Sequence, residues 1–206
     1  MRLHYTIALF AIIAAPVIAK ADNVNLSTGT ATYSVTFNSA TSTAVSSTAN
    51  PGWTASIPGA VWVNTTGSGT ASAPNGAYVY STTFTLNSMS NLSGSFASDN
   101  AAMAFLSGGS IVGSDSLGAN TYANSFTTAT MFSALNLGPG TYTLTFDLEN
   151  GTGLASGADS NISTGPSGLL VGASTVSATP EPSSLILLGS GLLGMVGIAR
   201  RRLFSR

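Results

Sequence analysis

Two segments of the chain alternate between apolar and polar side chains, and they constrain the fold more than any other feature. The first covers residues 141–149 without a break, and its apolar members are Tyr142, Leu144, Phe146 and Leu148. The second covers residues 78–86 with one exception at Thr82, and its apolar members are Tyr78, Tyr80, Phe84 and Leu86. Because successive side chains of a β-strand point to opposite faces, each segment predicts a strand with one buried and one solvated face. The alternation also argues against disorder, which a chain rich in Ser, Thr and Gly would otherwise suggest.

The rest of the central region has the composition of a sheet protein. It is rich in Ser, Thr, Gly, Ala and Asn, with turn residues at short intervals, and this favours short strands over helices. Further strands are predicted at residues 31–37, 60–64, 92–97, 101–106, 110–113, 131–137 and 169–174. Residues 41–50 are expected to form a loop, and Ser98, Asp99 and Asn100 a hairpin turn. About eight or nine strands in a region of this length predict an all-β sandwich.

The first 21 residues have the layout of a secretory signal peptide. Arg2 supplies the positive start, residues 7–19 are mostly apolar, and Ala19-Lys20-Ala21 matches the small-residue site that signal peptidase cleaves. The alternative, an uncleaved membrane anchor, is disfavoured because this apolar run is too short to span a bilayer. Residues 22–178 are therefore predicted to form one β-sandwich ectodomain.

The distribution of ionisable side chains excludes several kinds of function. All six Lys and Arg residues and the single His lie outside residues 22–178, and the chain has no Cys. The body carries carboxylates alone, at Asp22, Asp99, Asp115, Asp147, Glu149 and Asp159. A Ser-His-Asp or Cys-His arrangement, a Schiff-base lysine, a His/Cys zinc site, a P-loop and a basic nucleic-acid surface are therefore excluded for the body. No catalytic, cofactor-binding or metal-binding residue is assigned, while carboxylate chemistry, an oxygen-ligand Ca²⁺ site and binding through aromatic or amide groups stay open.

The C-terminal segment, residues 179–206, has three successive parts. Pro180, Glu181 and Pro182 are extended, because proline fixes φ and lacks a backbone donor. Residues 183–199 are uncharged and predict a helix of about 25 Å, at the short end of what crosses a membrane. Arg200, Arg201 and Arg202 form an arginine cluster that cannot cross the bilayer and marks the cytoplasmic side. On these features alone, a plain tail anchor is the alternative.

This order of parts resembles the PEP-CTERM protein-sorting signal of Gram-negative bacteria, over residues 180–206. The resemblance implies that an exosortase-type membrane transpeptidase recognises the chain and acts at or near Pro180, Glu181 and Pro182. The precursor would be held in the inner membrane by its C-terminal helix, and the body would then reach the cell surface or the extracellular matrix. The resemblance implies a destination for the protein and no activity for its body.

A second resemblance covers the body. It rests on GW at 52–53, VWV at 61–63, YVYSTTFTL at 78–86, LSGSFASDNAAMAFLSGG at 92–109, LGPGTYTLTFDLENG at 137–151 and GPSGLLV at 165–171. Together these are similar to a galactose-binding-domain-like jelly roll that precedes PEP-CTERM tails in other exported bacterial proteins, and they imply a jelly-roll-like fold. Such domains often have Asn-Gly after the strand that follows Asp-Asn, whereas Ser107 and Gly108 occupy that place here.

Two pairs of residues in the body are candidates for ligand contact. Trp53 and Trp62 could stack on sugar rings, and the alternative is that they pack in the core or at its rim. Asp99 and Asn100 could contact a ligand or Ca²⁺, although the chemistry of Asp and Asn favours a role in a turn.

One pair of carboxylates has a spacing that would suit a catalytic or cation-binding site. Asp147 and Glu149 stand at i and i+2, so both are expected on the solvated face of one strand. There they could form a glycosidase pair or help to hold a cation. Solubilising charge on an open face is the favoured interpretation.

The sequence therefore favours a non-enzymatic, exported protein of the cell surface or matrix whose sandwich contacts exopolysaccharide. A purely structural or adhesive matrix component is the close alternative, and a glycan-active enzyme is the third. Ice binding is placed last, because Thr41, Thr43 and Thr48 form no regular threonine array in the sequence.

Overall fold

The structure is a computed structural model, and it describes residues 23–48, 50–120, 125–151, 165–177, 189–191 and 194. One compact unit, Ala21–Ala178, contains every strand named below. The second unit comprises Met1–Lys20 and Thr179–Arg206, and its described residues are helical.

Two of the predicted segments fall outside this description. The signal peptide at residues 1–21 lies wholly outside it, and so does most of the predicted transmembrane helix at residues 183–199. Within the described residues, no helix has the length and apolar character that crossing a membrane requires.

The described part of the body forms eleven strands in two sheets. These are β1 (Ser34–Phe37), β2 (Ala40–Thr43), β3 (Val45–Ser46), β4 (Val63–Asn64), β5 (Gly76–Leu86), β6 (Ser90–Asp99), β7 (Ala102–Gly108), β8 (Ile111–Asn120), β9 (Thr130–Leu137), β10 (Gly140–Asn150) and β11 (Gly168–Ser177). The six-stranded sheet has the order β2-β1-β5-β10-β7-β8, and the five-stranded sheet has the order β3-β4-β11-β6-β9. All pairings between these strands are antiparallel, so the prediction of an all-β sandwich is confirmed.

From β5 onwards the chain passes between the two sheets at nearly every connection, as in a jelly-roll-like sandwich. The predicted hairpin turn at Ser98, Asp99 and Asn100 is therefore wrong, because β6 and β7 belong to different sheets. Alternation shows that each strand buries one face. It does not show that β6 and β7 lie in opposite sheets and face the same core.

The predicted loop at residues 41–50 is also wrong in part, since β2 and β3 lie there. Every residue of β2 is exposed, so the strand has no apolar period that the sequence could reveal. Backbone pairing with β1 holds it at the edge of the six-stranded sheet. The predicted strand at residues 60–64 is shorter than expected, because β4 has only two residues.

The inner faces of both sheets meet in one aromatic core. Tyr142, Leu144, Phe146 and Leu148 of β10 are completely buried, which confirms the alternation in that strand up to Leu148. The ring of Phe146 lies 5.2 Å from the ring of Phe96 and 5.8 Å from that of Phe132, both in the five-stranded sheet. Thr82 lies on the inner face of β5, and its hydroxyl donates to the Thr32 carbonyl at 2.9 Å.

The connection before β4 covers part of the outer face of the five-stranded sheet. Ala55, Ala97 and Leu170 form a small buried cluster there. A Cβ on Gly168 would lie 2.5 Å from the Trp53 ring, so the indole packs directly on the backbone of β11. Glycine is therefore required for this close approach. On the outer face of the six-stranded sheet, by contrast, the serine and threonine side chains of β2, β1, β5 and β10 are exposed or half-buried.

Candidate functional site

Serine and threonine side chains form a continuous field on the outer face of the six-stranded sheet. Outward-pointing residues from β2, β1, β5 and β10 come into register there, and all of them are exposed or half-buried. We define the hydroxyl face as Thr41, Thr43, Ser34, Thr36, Ser81, Thr83, Thr85, Thr141, Thr143 and Thr145.

Hydroxyl groups on neighbouring strands pair with each other across this face. The oxygens of Thr85 and Thr141 are 3.0 Å apart, and those of Thr83 and Thr143 are 3.4 Å apart. Two further pairs join β1 to its neighbours, with Ser34 and Ser81 at 2.9 Å and Thr36 and Thr41 at 2.8 Å. Strand spacing near 4.8 Å, and a repeat of about 6.8 Å for alternate residues along a strand, make this a two-dimensional array.

This array overturns the reason for placing ice binding last. Thr41 and Thr43 do belong to a regular array, because β2 pairs with β1 and β1 pairs with β5. The sequence did contain a signal for this array, since the polar positions of the two alternating segments include Thr83, Thr85, Thr141, Thr143 and Thr145. Their alignment depends on strand register, which single-strand periodicity does not specify.

An aromatic ring and a carboxylate adjoin the hydroxyl face. Phe105 on β7 is half-buried, points outward and stands opposite Thr145. Asp147 stands two residues along β10, opposite Val79 and Met103. Partial burial raises the pKa of the Asp147 carboxyl above its ordinary value.

The expected pairing of Asp147 with Glu149 on an open face is wrong. The last three residues of β10, Leu148, Glu149 and Asn150, are all buried, and Glu149 is only 8% exposed. The Glu149 amide donates to the Ala101 carbonyl at 2.9 Å, at the point where β7 begins. Asp147 is half-buried, so it is the more accessible carboxylate of the pair. Among the described residues, no three His, Cys, Asp or Glu side chains come together as a metal-ligand group.

The two tryptophans lie together, away from the hydroxyl face. Their ring centroids are 4.5 Å apart with an interplanar angle of 29°. Trp53 is 8% exposed, so its ring has no open face for a sugar, while Trp62 is half-buried. This position agrees with the packing interpretation, and glycan contact through Trp62 stays a prediction.

Asp99 is part of the same cluster. Its Oδ2 accepts a hydrogen bond from Trp53 Nε1 at 2.7 Å, and its Oδ1 accepts one from Asn100 Nδ2 at 2.8 Å. Burial raises the pKa of the Asp99 carboxyl to about 6, and the Trp53 bond lowers it in part. Asp99 and Asn100 are thus buried hydrogen-bonding groups at a crossover between the sheets.

The predicted processing residues have no described geometry. Ala19 and Ala21 of the signal cleavage site lie outside the described residues, as do Pro180, Glu181, Pro182 and the arginine cluster. A family model for the PEP-CTERM protein-sorting motif matches residues 178–202.

Residues 178–202 are a PEP-CTERM motif. The match includes the Pro-Glu-Pro segment and the arginine cluster, and it confirms the resemblance seen in the sequence. A PEP-CTERM motif indicates an exported, cell-envelope-associated protein that an exosortase sorts.

The similarity of the body to known proteins is weaker than that of the sorting motif. No curated protein matches the chain. One similar solved structure is a β-galacturonidase of glycoside hydrolase family 2 from Eisenbergiella tayi, bound to glycerol. The identity is 14%, the match covers 76% of this chain and 24% of that one, and the TM-score is 0.41. The chain therefore spans about a quarter of the length of that enzyme.

Proposed function

We propose that this PEP-CTERM chain is a non-enzymatic protein of the cell surface or extracellular matrix, and that its sandwich contacts polysaccharide. The observation that carries the proposal is the sorting motif at residues 178–202, which directs the body to the envelope. Polysaccharides are rich in hydroxyl groups, and the hydroxyl face of the six-stranded sheet is suited to hydrogen bonding with them.

The proposed lack of catalysis rests on the body's residues. It has no Lys, Arg, His or Cys to serve as base or activated nucleophile. Of the two carboxylates that could have formed a glycosidase pair, Glu149 is buried. An enzyme would be supported by glycan hydrolysis that disappears in an Asp147→Asn variant.

The proposed route begins with a precursor that signal peptidase cleaves after Ala21 and that its C-terminal helix holds in the inner membrane. An exosortase-type enzyme then acts at or near Pro180, Glu181 and Pro182. The intact mass of protein isolated from the surface of producing cells tests this route. It should include neither residues 1–21 nor residues 185–206, whereas a surface fraction that retains the arginine cluster would support a plain tail anchor.

Saturable binding to glycans tests the role of the body. A glycan array probed with the full chain in mild detergent should show at least one saturable interaction. If no glycan is bound, the structural or adhesive alternative becomes the better account.

Ice binding is the second candidate function, because the hydroxyl face is a regular array of serine and threonine side chains. It predicts thermal hysteresis and inhibition of ice recrystallisation by the purified chain. The polysaccharide proposal predicts neither effect beyond that of a control protein of equal concentration.

A further inference from the structure

We propose that the hydroxyl face, together with Phe105, is the glycan-binding surface, and that it selects uncharged polysaccharides. This inference rests on the proposed function, and it adds the site and the chemical class of the ligand.

Charge is the first argument for an uncharged ligand. Residues 22–178 contain six carboxylates and no Lys, Arg or His. A polyuronate or a sulfated glycan would find no cation with which to form a charge-assisted hydrogen bond on this body. Such a ligand would also bring its anionic groups towards Asp147, which stands in the next outward position of β10 after Thr145. A neutral sugar avoids this repulsion, and its hydroxyl groups could donate to the Asp147 carboxylate.

The hydroxyl pairs are the second argument. A threonine hydroxyl has one donor and two acceptor sites. When Thr85 and Thr141 bond to each other, one O–H is used and the other remains available, together with unused acceptor sites. The same holds for Thr83 and Thr143. Each pair therefore offers a donor and acceptors to a ligand that carries donors and acceptors itself.

The rigidity of the array favours binding. Threonine is β-branched and has restricted χ1 rotamers in a strand. Its hydroxyl groups are already fixed by cross-strand pairing, so little side-chain freedom is lost when a ligand binds. A long polysaccharide can contact several pairs at once, which compensates for the weakness of each neutral hydrogen bond.

Phe105 supplies the apolar part of the surface. Its ring lies on the outer side of β7, in the strand next to β10, opposite Thr145. It is half-buried, and no stacking partner occurs for it among the rings of the described residues. An aromatic face beside hydroxyl groups matches a pyranose, which has an apolar C–H face and a polar edge.

The five-stranded sheet provides a matched control. Ser93 and Ser133 stand directly opposite each other on β6 and β9, and both are exposed. Thr83 and Thr143 have the same relation on β5 and β10. Replacing either pair by glutamine places two longer, uncharged side chains on one sheet face, so the two double variants differ mainly in the face that they obstruct.

The test uses the full chain in mild detergent and affinity electrophoresis against a neutral β-glucan, a neutral mannan and polygalacturonate. We expect binding to at least one neutral glycan and none to polygalacturonate. The Thr83→Gln/Thr143→Gln variant should bind at least about tenfold more weakly, and Ser93→Gln/Ser133→Gln within about twofold of the unmodified chain. Phe105→Leu keeps an apolar side chain and should weaken binding several-fold without lowering the melting temperature.

Each other outcome overturns a defined part of the argument. Equal binding by both double variants, with unchanged melting temperatures, would remove the hydroxyl face as the site and leave the proposed function standing. Stronger binding to polygalacturonate than to the neutral glycans would refute the selection of uncharged ligands. Failure to bind any glycan in this test and on the array would refute the proposed function together with this inference.

Discussion

Asp99→Asn should stabilise the body at neutral pH, because the Asp99 carboxyl is buried with neutral partners only. Its hydrogen-bond partners are Trp53 Nε1 and Asn100 Nδ2. Burial raises the carboxyl pKa from 3.8 to about 6. Since a pKa difference of one corresponds to about 1.4 kcal/mol, ionising Asp99 is about 3 kcal/mol less favourable in the folded state than in the unfolded chain.

The direction of the pH dependence follows from this difference. In the folded state Asp99 keeps its proton to a higher pH than in the unfolded chain, so the folded state binds more protons between about pH 4 and pH 6. The contribution of Asp99 to the free energy of unfolding is therefore fully present below about pH 4 and is lost as the pH rises through about 6. The raised pKa of Asp147 acts in the same direction, so only the difference between wild type and Asp99→Asn isolates Asp99.

The substitution should preserve the hydrogen bonds of the cluster. Asn100 Oδ1 is buried and has no partner among the described residues. If the Asn100 amide rotates, its oxygen can accept from the new amide at position 99, whose own oxygen accepts from Trp53 Nε1. The variant should then exceed wild type by up to about 3 kcal/mol at about pH 8, and should have no advantage at about pH 4.

Urea unfolding of residues 22–178, expressed alone, measures this difference, with linear extrapolation to water. Far-UV circular dichroism is the appropriate signal. Both tryptophans of the chain lie in or beside this cluster, so their fluorescence would report local titration as well as unfolding. A stability difference between Asp99→Asn and wild type that does not grow between about pH 4 and pH 8 would refute the reasoning. So would a variant that is less stable at both values.

Three other predictions concern the core, the packed connection and the sorting motif. Phe146→Ala should lower the free energy of unfolding by about 3–5 kcal/mol in the same urea assay, because the ring is completely buried between the sheets. A loss below about 1 kcal/mol would contradict this packing. Gly168→Ala should lower the free energy of unfolding by about 1–3 kcal/mol and change the tryptophan fluorescence, because the added Cβ would meet the Trp53 ring at 2.5 Å. An unchanged fluorescence spectrum together with unchanged stability would contradict that contact. Neutral substitution of the arginine cluster should impair retention and processing, as seen in immunoblots of cell fractions, and should leave the melting temperature of the body unchanged. The reason is that each arginine costs about 2.5–3.5 kcal/mol at the bilayer centre, so the cluster fixes the depth of the helix. Processing like that of wild type would show that the cluster has no role in sorting.

The sequence by itself determined the sorting motif and the class of the fold. A sorting motif is read as a linear segment, so Pro180, Glu181, Pro182 and the arginine cluster sufficed to recognise it. Period-two alternation likewise identifies a strand and its buried face from local information, as the burial of Tyr142 to Leu148 shows.

Only the tertiary structure decided which strands are neighbours. Alternation gives the face of a strand, but register and sheet membership depend on pairing between distant segments, such as Thr83 with Thr143. The hydroxyl face was therefore not recognised in the sequence, although several of its threonines were. For the same reason β6 and β7 were expected to form a hairpin, whereas they pack in opposite sheets.

The same limit applies to single side chains whose environment comes from elsewhere in the chain. Glu149 continues the polar half of a regular alternation, yet the folded structure buries it at the end of β10. Trp53 and Asp99 are 46 residues apart in the sequence, and the Trp53 Nε1–H donates a hydrogen bond to Asp99 Oδ2 at 2.7 Å. Burial and partners of this kind arise when two sheets and a covering connection come together, so the Asp99 pKa and the position of the tryptophans follow from tertiary packing and not from sequence pattern.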